Sequence, residues 1–246
     1  MIGGWRTAAL LPVLLPQAMW VASRAIRLPE AAGPRSGTEG TDAQLRVLIV
    51  GDSSAAGVGV DHQSEALAGR LAHHLSAHGP LSWALVAKSG WTSRNVVQAL
   101  ERLPAAQVDI AVVAVGVNDA KNGVHSSKWR NNCIALLDLL RRKHGAQCIV
   151  ASGVPPLGDF PLLPMPLRRV LGERASRFDA MLSDLCHRTP GVIHLPFDEP
   201  LDPAQMARDG FHPGAPIYDI WAAKVTRAVQ DNAGHVLRQS LLRSTD

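Results

Sequence analysis

Residues 45–59 read LRVLIVGDSSAAGVG, an apolar run that ends abruptly in small and polar residues. Residues 45–50 are almost entirely apolar and β-branched, which is typical of a strand buried inside a parallel sheet. The run stops at Gly51, so Ser53 falls at the carboxyl end of that strand. Ligands bind at this edge in open α/β sheets, and a serine there becomes a nucleophile once a base takes its proton. The stretch therefore predicts an α/β fold and directs the search to a histidine, a carboxylate and oxyanion donors.

The rest of the chain alternates short apolar runs with patterns of helical period. Four further strands are predicted at residues 82–87, 108–115, 147–153 and 192–195. Five helices are predicted at residues 64–78, 93–103, 127–144, 167–187 and 215–237. This alternation predicts a doubly wound parallel sheet. We expect one domain over residues 44–246.

Composition limits the classes of function. The chain has 246 residues, 46% of them hydrophobic, and a net charge of +4. Its basic residues are spread along the chain instead of forming the dense patch of a nucleic-acid binder, so no nucleic-acid partner is expected. Cys133, Cys148 and Cys186 are predicted to be buried free thiols, and no Cys/His cluster indicates a metal. This cysteine usage fits a reducing compartment. We expect a cytoplasmic or membrane-associated protein in preference to a secreted one.

Residues 1–43 differ from the remainder of the chain. Residues 8–22 are apolar but contain two prolines, and the run is too short and too interrupted to predict a membrane span. Three interpretations stay open: a signal or anchor, an interfacial segment carrying Trp5 and Trp20, or an arm folded against the domain. Residues 27–42, rich in Pro, Gly, Ser and Thr, are predicted to be a linker. Peripheral membrane contact through this segment is one expectation.

Three residue types at strand ends and loops fit acyl-transfer chemistry. Ser53 would attack an acyl carbonyl while His212 removes its proton and later protonates the leaving group. Asp209, three residues before His212, would hold the imidazole in the required tautomer. The sequence therefore predicts a catalytic triad of Ser53, Asp209 and His212.

Two further loops are expected at the same edge of the sheet. The oxyanion would accept hydrogen bonds from the backbone N–H groups of Ser53 and Gly90 and from the side-chain amide of Asn118. Lys88 and Trp91 flank this edge and are predicted to line a substrate pocket.

Four short blocks in this order resemble those of the SGNH (GDSL-like) hydrolases. They are Gly51-Asp52-Ser53, Gly90, Gly116-Val117-Asn118-Asp119 and Asp209-Gly210-Phe211-His212. The resemblance covers residues 44–225 and implies a flavodoxin-like three-layer α/β/α fold with a five-stranded parallel sheet of order 2-1-3-4-5. It also implies a metal-free esterase, lipase or thioesterase without a cofactor, and it assigns the same nucleophile, partners and oxyanion donors. The first block continues Gly-Asp-Ser-Ser instead of ending in leucine, which bears on the pocket and not on the catalytic positions.

Each predicted role has a simpler structural alternative. Ser53 could cap a helix, Asp209 could begin one, and His212 could be a turn residue. His74 and His78, one helical turn apart, fit a solvated helix face better than a metal site.

Three functions follow from the sequence. The first is a serine hydrolase of carboxylic esters or thioesters with short, medium or acetyl acyl groups, acting on a small molecule or a saccharide. The second is an acyltransferase that uses the same triad. The third is a non-catalytic flavodoxin-like ligand-binding module, although the dinucleotide and phosphate-loop glycine motifs are missing from the sequence.

Overall fold

The computed structural model describes residues 4–160, 162–198 and 202–242, and in these ranges six strands form one sheet. The strands are β1 (Ser36–Glu39), β2 (Leu45–Gly51), β3 (Leu81–Ala87), β4 (Ile110–Ala114), β5 (Cys148–Ser152) and β6 (Val192–Leu195). Their order across the sheet is β1-β3-β2-β4-β5-β6. Every pair is parallel except β1 with β3. The five parallel strands therefore follow the predicted order 2-1-3-4-5, which is confirmed.

Strand β1 corrects two predictions. It lies within residues 27–42, which we expected to be a linker, and it makes the sheet six-stranded instead of five-stranded. Its sequence, Ser-Gly-Thr-Glu, has no apolar residue and so carries no strand signal. An edge strand pairs through its backbone and leaves its side chains largely in solvent, so polar residues suffice there.

Seven α-helices and two short 3-10 turns complete the described chain. The helices are α1 (Gly4–Arg24), α2 (Leu67–Ser76), α3 (Ser93–Arg102), α4 (Val117–Lys121), α5 (Ser126–Arg142), α6 (Leu167–His187) and α7 (Ala215–Leu242). The 3-10 turns are Leu157–Asp159 and Pro203–Gln205. Helix α6 has the predicted bounds, whereas α2 begins at Leu67 and not at Ser64. Helix α7 continues beyond the predicted end at Leu237 and is kinked at Ala233.

The sheet is covered on both faces, as its sequence pattern requires. Val47 and Ile49 of β2 pack with α2 and α7 on one side, and Leu48 and Val50 pack with α3, α5 and α6 on the other. All four are nearly or wholly buried, and each such burial stabilises the fold by about 1.5–3 kcal/mol. Because helices occupy both faces, polar chemistry is confined to the loops at the strand ends.

Helix α1 lies against the domain along one face. Leu14 is buried, and Leu10 and Val21 pack against the same core at helical spacing. The side chain of Gln17 donates to the carbonyl oxygen of Met165 (2.6 Å) and accepts from the backbone N–H that begins α6 (3.1 Å). None of the helices in the described ranges meets the length and hydropathy of a membrane span. The roles of residues 1–43 as a signal, an anchor or an interfacial segment stay predictions.

The three cysteines are free and buried, as predicted. Burial raises the pKa values of Cys148 and Cys186 to about 12 and raises that of Cys133 well above its ordinary value. These thiols are therefore protonated core residues at neutral pH.

Candidate active site

The turn after β2 presents Ser53 at the carboxyl edge of the sheet. The backbone N–H of Asp52 donates to the carbonyl oxygen of Ala114 (3.0 Å), which ties the turn to β4. Glycine is required at position 59, since a Cβ there would lie 2.2 Å from the carbonyl oxygen of Pro213. This close approach brings the turn against the loop that carries His212.

A continuous hydrogen-bonded chain joins the three predicted catalytic side chains. His212 Nε2 lies 2.9 Å from Ser53 Oγ, and His212 Nδ1 lies 2.6 Å from Asp209 Oδ2. The second carboxylate oxygen of Asp209 accepts from the backbone N–H groups of Phe211 and His212, both at 3.0 Å. The structure thus brings together residues that are 159 positions apart in sequence, with the imidazole between the hydroxyl and the carboxylate.

The environment of Asp209 keeps its carboxylate ionised. Burial acts to raise its pKa, but the hydrogen bonds from the His212 ring and from two backbone amides outweigh burial, so the pKa is lowered. Ionised Asp209 therefore adds to stability above its ordinary pKa of 3.8, and this contribution is lost as the pH falls through the lower folded value.

Two other carboxylates at this edge lie outside the hydrogen-bonded chain. Asp52 is 3% exposed, and burial raises its pKa to about 7, with the charge of Asp119 adding to the effect. Asp119 accepts from the backbone N–H (2.8 Å) and hydroxyl (2.6 Å) of Ser93 at the start of α3. Asp119 therefore fixes the first turn of α3, and Asp52 accepts the backbone N–H of Ser54 (3.1 Å).

Two of the predicted oxyanion residues, Gly90 and Asn118, lie on segments that contact each other. Asn118, in the short helix α4 instead of the predicted turn, donates from Nδ2 to the carbonyl oxygen of Trp91 (3.0 Å). One N–H of that amide holds the loop containing Gly90, which leaves the other N–H for a ligand. Gly90 has φ +82°, and no atom lies within 4 Å of the place that a Cβ would take, so glycine is needed for its backbone conformation and not for space.

Two residues of the predicted linker hold the loop with Gly90, and sequence reasoning missed both. Glu30 accepts from the backbone N–H of Ser89 (2.6 Å) and from Arg35 (3.0 Å). Arg35 in turn donates to the carbonyl oxygen of Ala87 at the end of β3. No local signal identifies these residues, because Glu30 and Ser89 are 59 positions apart in sequence.

A largely apolar cleft adjoins Ser53. Pro155, Phe160, Phe211 and Trp221 are among its lining residues, and the rings of Phe160 and Phe211 have centroids 5.1 Å apart. About 50 Å³ of the cleft is open to the centre of a water-sized sphere.

The predicted pocket residues Lys88 and Trp91 are not among those that line this cleft. Lys88 is exposed at the surface, and Trp91 packs partly buried against the core beneath the loop. Lys88 and Trp91 were predicted from their place beside this edge of the sheet, and that place alone did not show on which side of Ser53 the cavity opens.

His74 lies in α2, whereas His78 lies in the turn after its end instead of in the predicted helix, and both have protein partners. His74 Nε2 lies 2.8 Å from Asp219 Oδ1, and His78 Nε2 lies 2.7 Å from Gln230. Within the ranges the structure describes, no group of three or more His, Cys, Asp or Glu side chains is arranged to hold a metal ion.

Comparison with known proteins shows the family to which the chain belongs. Residues 49–220 match the GDSL-like lipase/acylhydrolase family. The chain belongs to that family. The GDSL-like protein is thus a member of the SGNH hydrolase superfamily, as its four sequence blocks predicted. Among curated proteins, no sequence matches the chain.

Solved structures with the same fold are distant in sequence. A lipase from a goat rumen metagenome has 16% identity and a TM-score of 0.59, and the match covers 75% of this chain and 97% of that one. The psychrotrophic esterase EstA of a Pseudoalteromonas species has 18% identity and a TM-score of 0.57, covering 76% and 97%. The salicylyl-acyltransferase SsfX3 of a tetracycline biosynthetic pathway has 18% identity and a TM-score of 0.52, covering 78% and 56%. At these identities the likeness establishes the fold of the GDSL-like protein.

Proposed function

We propose that the GDSL-like protein is a serine esterase that hydrolyses carboxylic esters or thioesters of short acyl groups through an acyl-enzyme. The observation that carries the proposal is the hydrogen-bonded chain from Ser53 through His212 to Asp209, with distances of 2.9 and 2.6 Å. The family and the esterase and lipase names of structural neighbours agree with this reaction class.

The chemistry of the first half-reaction follows from the order of these side chains. Ser53 Oγ bonds to the acyl carbon as its proton passes to His212 Nε2, and Asp209 stabilises the resulting imidazolium. The carbonyl oxygen becomes an oxyanion that accepts hydrogen bonds from the backbone N–H groups of Ser53 and Gly90 and from Asn118. The bond to the leaving alcohol or thiol then breaks, and the leaving group takes the proton from His212.

The second half-reaction repeats these steps with water. His212 takes a proton from the water as its oxygen bonds to the acyl carbon, and the oxyanion forms in the same place. Collapse of this intermediate breaks the bond to Ser53 Oγ, which regains its proton from His212. The acid is released and the enzyme returns to its starting state.

The cleft supports a short, uncharged acyl group. Its lining is mainly aromatic and aliphatic, which disfavours a charged chain. The cleft is also narrow, because the centre of a water-sized sphere can move through only about 50 Å³ of it. We therefore expect acetyl to butanoyl esters to be better substrates than long-chain esters.

The test is steady-state hydrolysis of p-nitrophenyl esters from acetate to palmitate by wild type and three variants. Ser53→Ala should lower kcat by at least about a thousandfold, and Asp209→Asn by about 10⁴-fold, because asparagine favours the wrong imidazole tautomer. Ser54→Ala is the matched control: it removes a hydroxyl one residue away, while the backbone N–H that Asp52 accepts remains. Circular dichroism checks that each variant is folded.

Two results would contradict the proposal. Retention of activity by Ser53→Ala, or an equal loss in Ser54→Ala, would mean that Ser53 is not the nucleophile. A fluorophosphonate probe gives an independent readout, since it should add to the peptide containing Ser53 and to no peptide of the Ser53→Ala variant.

Acyl transfer is the second candidate, and one neighbour favours testing it. The acyltransferase SsfX3 shares the fold, and an acyl-enzyme on Ser53 can react with an alcohol as well as with water. Repeating the assay with added glycerol separates the two, because a transferase would release glycerol ester in preference to free acid.

A further inference from the structure

Exposed apolar side chains are concentrated in α1, in the residues just after it and in the loop before α6. Ten large hydrophobic side chains are exposed among the described residues, and eight of them lie within residues 11–26 and 162–165. We refer to six of these as the apolar patch: Leu11, Leu15, Met19, Trp20, Leu162 and Met165. Each is 46–72% exposed, and clusters of this kind mark interaction surfaces.

Helix α1 carries apolar side chains on two faces, one packed and one exposed. One face, including Leu14, packs on the domain. The other carries Leu11, Leu15 and Met19 at intervals of four residues, with Met19 72% exposed. The packed face accounts for how α1 is held and leaves the outward face without a partner in the described chain.

Two members of the apolar patch, Leu162 and Met165, lie in the loop before α6, which contacts both α1 and the active site. The hydrogen bond from Gln17 to Met165 joins the helix to the loop before α6. Three residues earlier in that loop, the Leu162 side chain lies 2.8 Å from where a Cβ on Gly210 would be, within the Asp209–His212 loop. A surface that covered the apolar patch would therefore adjoin the mouth of the Ser53 cleft.

The charged residues at the end of α1 indicate an anionic partner. Residues 4–29 contain no acidic residue, whereas Arg24 and Arg27 are exposed at the end of the helix. The guanidinium of Arg24 lies 4.8 Å from the ring centre of Trp20. Tryptophan and arginine together beside an apolar helix face are the combination that binds at the headgroup level of an anionic membrane.

We infer that the apolar patch, with Arg24 and Arg27, docks the GDSL-like protein on an anionic lipid bilayer. Docking places the mouth of the Ser53 cleft at the lipid–water interface, where an ester held in the membrane can enter; this second step rests on the proposed function. A short acyl group would enter the cleft while the alcohol part of the ester remains in the lipid.

The test measures binding without catalysis. The full chain carrying Ser53→Ala is floated with vesicles of phosphatidylcholine, with or without phosphatidylglycerol, so that binding does not depend on the esterase assignment. The anionic vesicles should bind the protein more tightly. Leu15→Glu with Met19→Glu should weaken that binding at least about tenfold, whereas Ile134→Glu, an exposed apolar residue on α5, should leave it unchanged.

Two further variants test the charge. Arg24→Gln and Arg27→Gln should each weaken binding to anionic vesicles about fivefold, which corresponds to about 1 kcal/mol per arginine near the surface, with little effect on neutral vesicles. Hydrolysis of soluble p-nitrophenyl acetate by Leu15→Glu/Met19→Glu in the otherwise wild-type chain should be unchanged, which shows that the site is intact.

Three outcomes would overturn the inference. They are failure of the protein to bind anionic vesicles, equal effects of the patch variants and Ile134→Glu, and a wild-type dimer in sedimentation that Leu15→Glu/Met19→Glu dissociates. The last would show that a second copy covers the apolar patch. If the wild-type chain binds vesicles but hydrolyses no ester, the proposed function is refuted and the docking inference stands.

Discussion

Replacement of Asp52 by asparagine should make the stability of the GDSL-like protein less dependent on pH. Burial raises the pKa of this carboxyl to about 7 in the folded chain, from an ordinary value of 3.8. Between these values Asp52 is protonated when folded and ionised when unfolded. The folded state then binds one more proton, so the free energy of unfolding falls as the pH rises.

The size of the effect follows from these two values. One proton of difference changes the free energy of unfolding by about 1.4 kcal/mol per pH unit. The interval from 3.8 to about 7 is roughly three units, so Asp52 costs up to about 4 kcal/mol once the pH exceeds its folded pKa. Asparagine cannot ionise, and its side-chain oxygen still accepts the backbone N–H of Ser54 that Asp52 accepts at 3.1 Å.

Urea unfolding followed by circular dichroism at several values from pH 4 to pH 8 measures this directly. The stability of Asp52→Asn minus that of wild type should rise by about 1.4 kcal/mol per pH unit up to pH 7 and then level off. Asp61→Asn is the control, because it removes a carboxylate that is exposed in the folded chain. A flat difference for Asp52→Asn would refute the argument that buried Asp52 is protonated.

Three other substitutions test separate parts of the structure. Asn118→Ala should lower kcat about 10²–10³-fold in the ester assay with little change in KM, since it removes an oxyanion donor; an unchanged kcat would exclude that role. Glu30→Gln should lower kcat about tenfold at an unchanged melting temperature, because a charged acceptor for the Ser89 N–H is lost. If Glu30→Asp, which keeps the charge, lowers kcat as much as Glu30→Gln does, the charge of Glu30 does not position the loop with Gly90. Trp129→Ala should cost about 3–5 kcal/mol in urea unfolding, because this wholly buried ring stacks on Phe178 at 5.0 Å; a cost under about 1 kcal/mol would show that the core closes around the gap.

Strong local patterns explain why much of the fold could be predicted from the sequence. Each parallel strand is a continuous apolar run because helices cover both of its faces, and α6 was predicted with its observed bounds of Leu167–His187. Strand β1 was missed because an edge strand needs only its backbone to pair. The start of α2 was placed three residues early because Ser64 to Ala66 have helical composition but form turns before the helix.

The candidate site also has residues that the sequence predicted and residues that it did not. Ser53, Asn118, Asp209 and His212 were found because each lies in a short block with its own local conformation. The residues that hold the loop with Gly90, Glu30 and Arg35, came from contacts between distant parts of the chain, which no local pattern encodes.

The sequence by itself determined the alternation of strands and helices, which depends on local periodicity, and the three side chains proposed for catalysis, which depend on residue types at strand ends. The strand order and the family followed from the resemblance of four short blocks to those of the SGNH hydrolases. Only the tertiary structure decided that His212 lies 2.9 Å from Ser53, on which side of that serine the cleft opens, and that α1 turns an apolar face outward beside it. Distances and exposed surfaces are set by how distant segments pack, and packing depends on the whole chain at once.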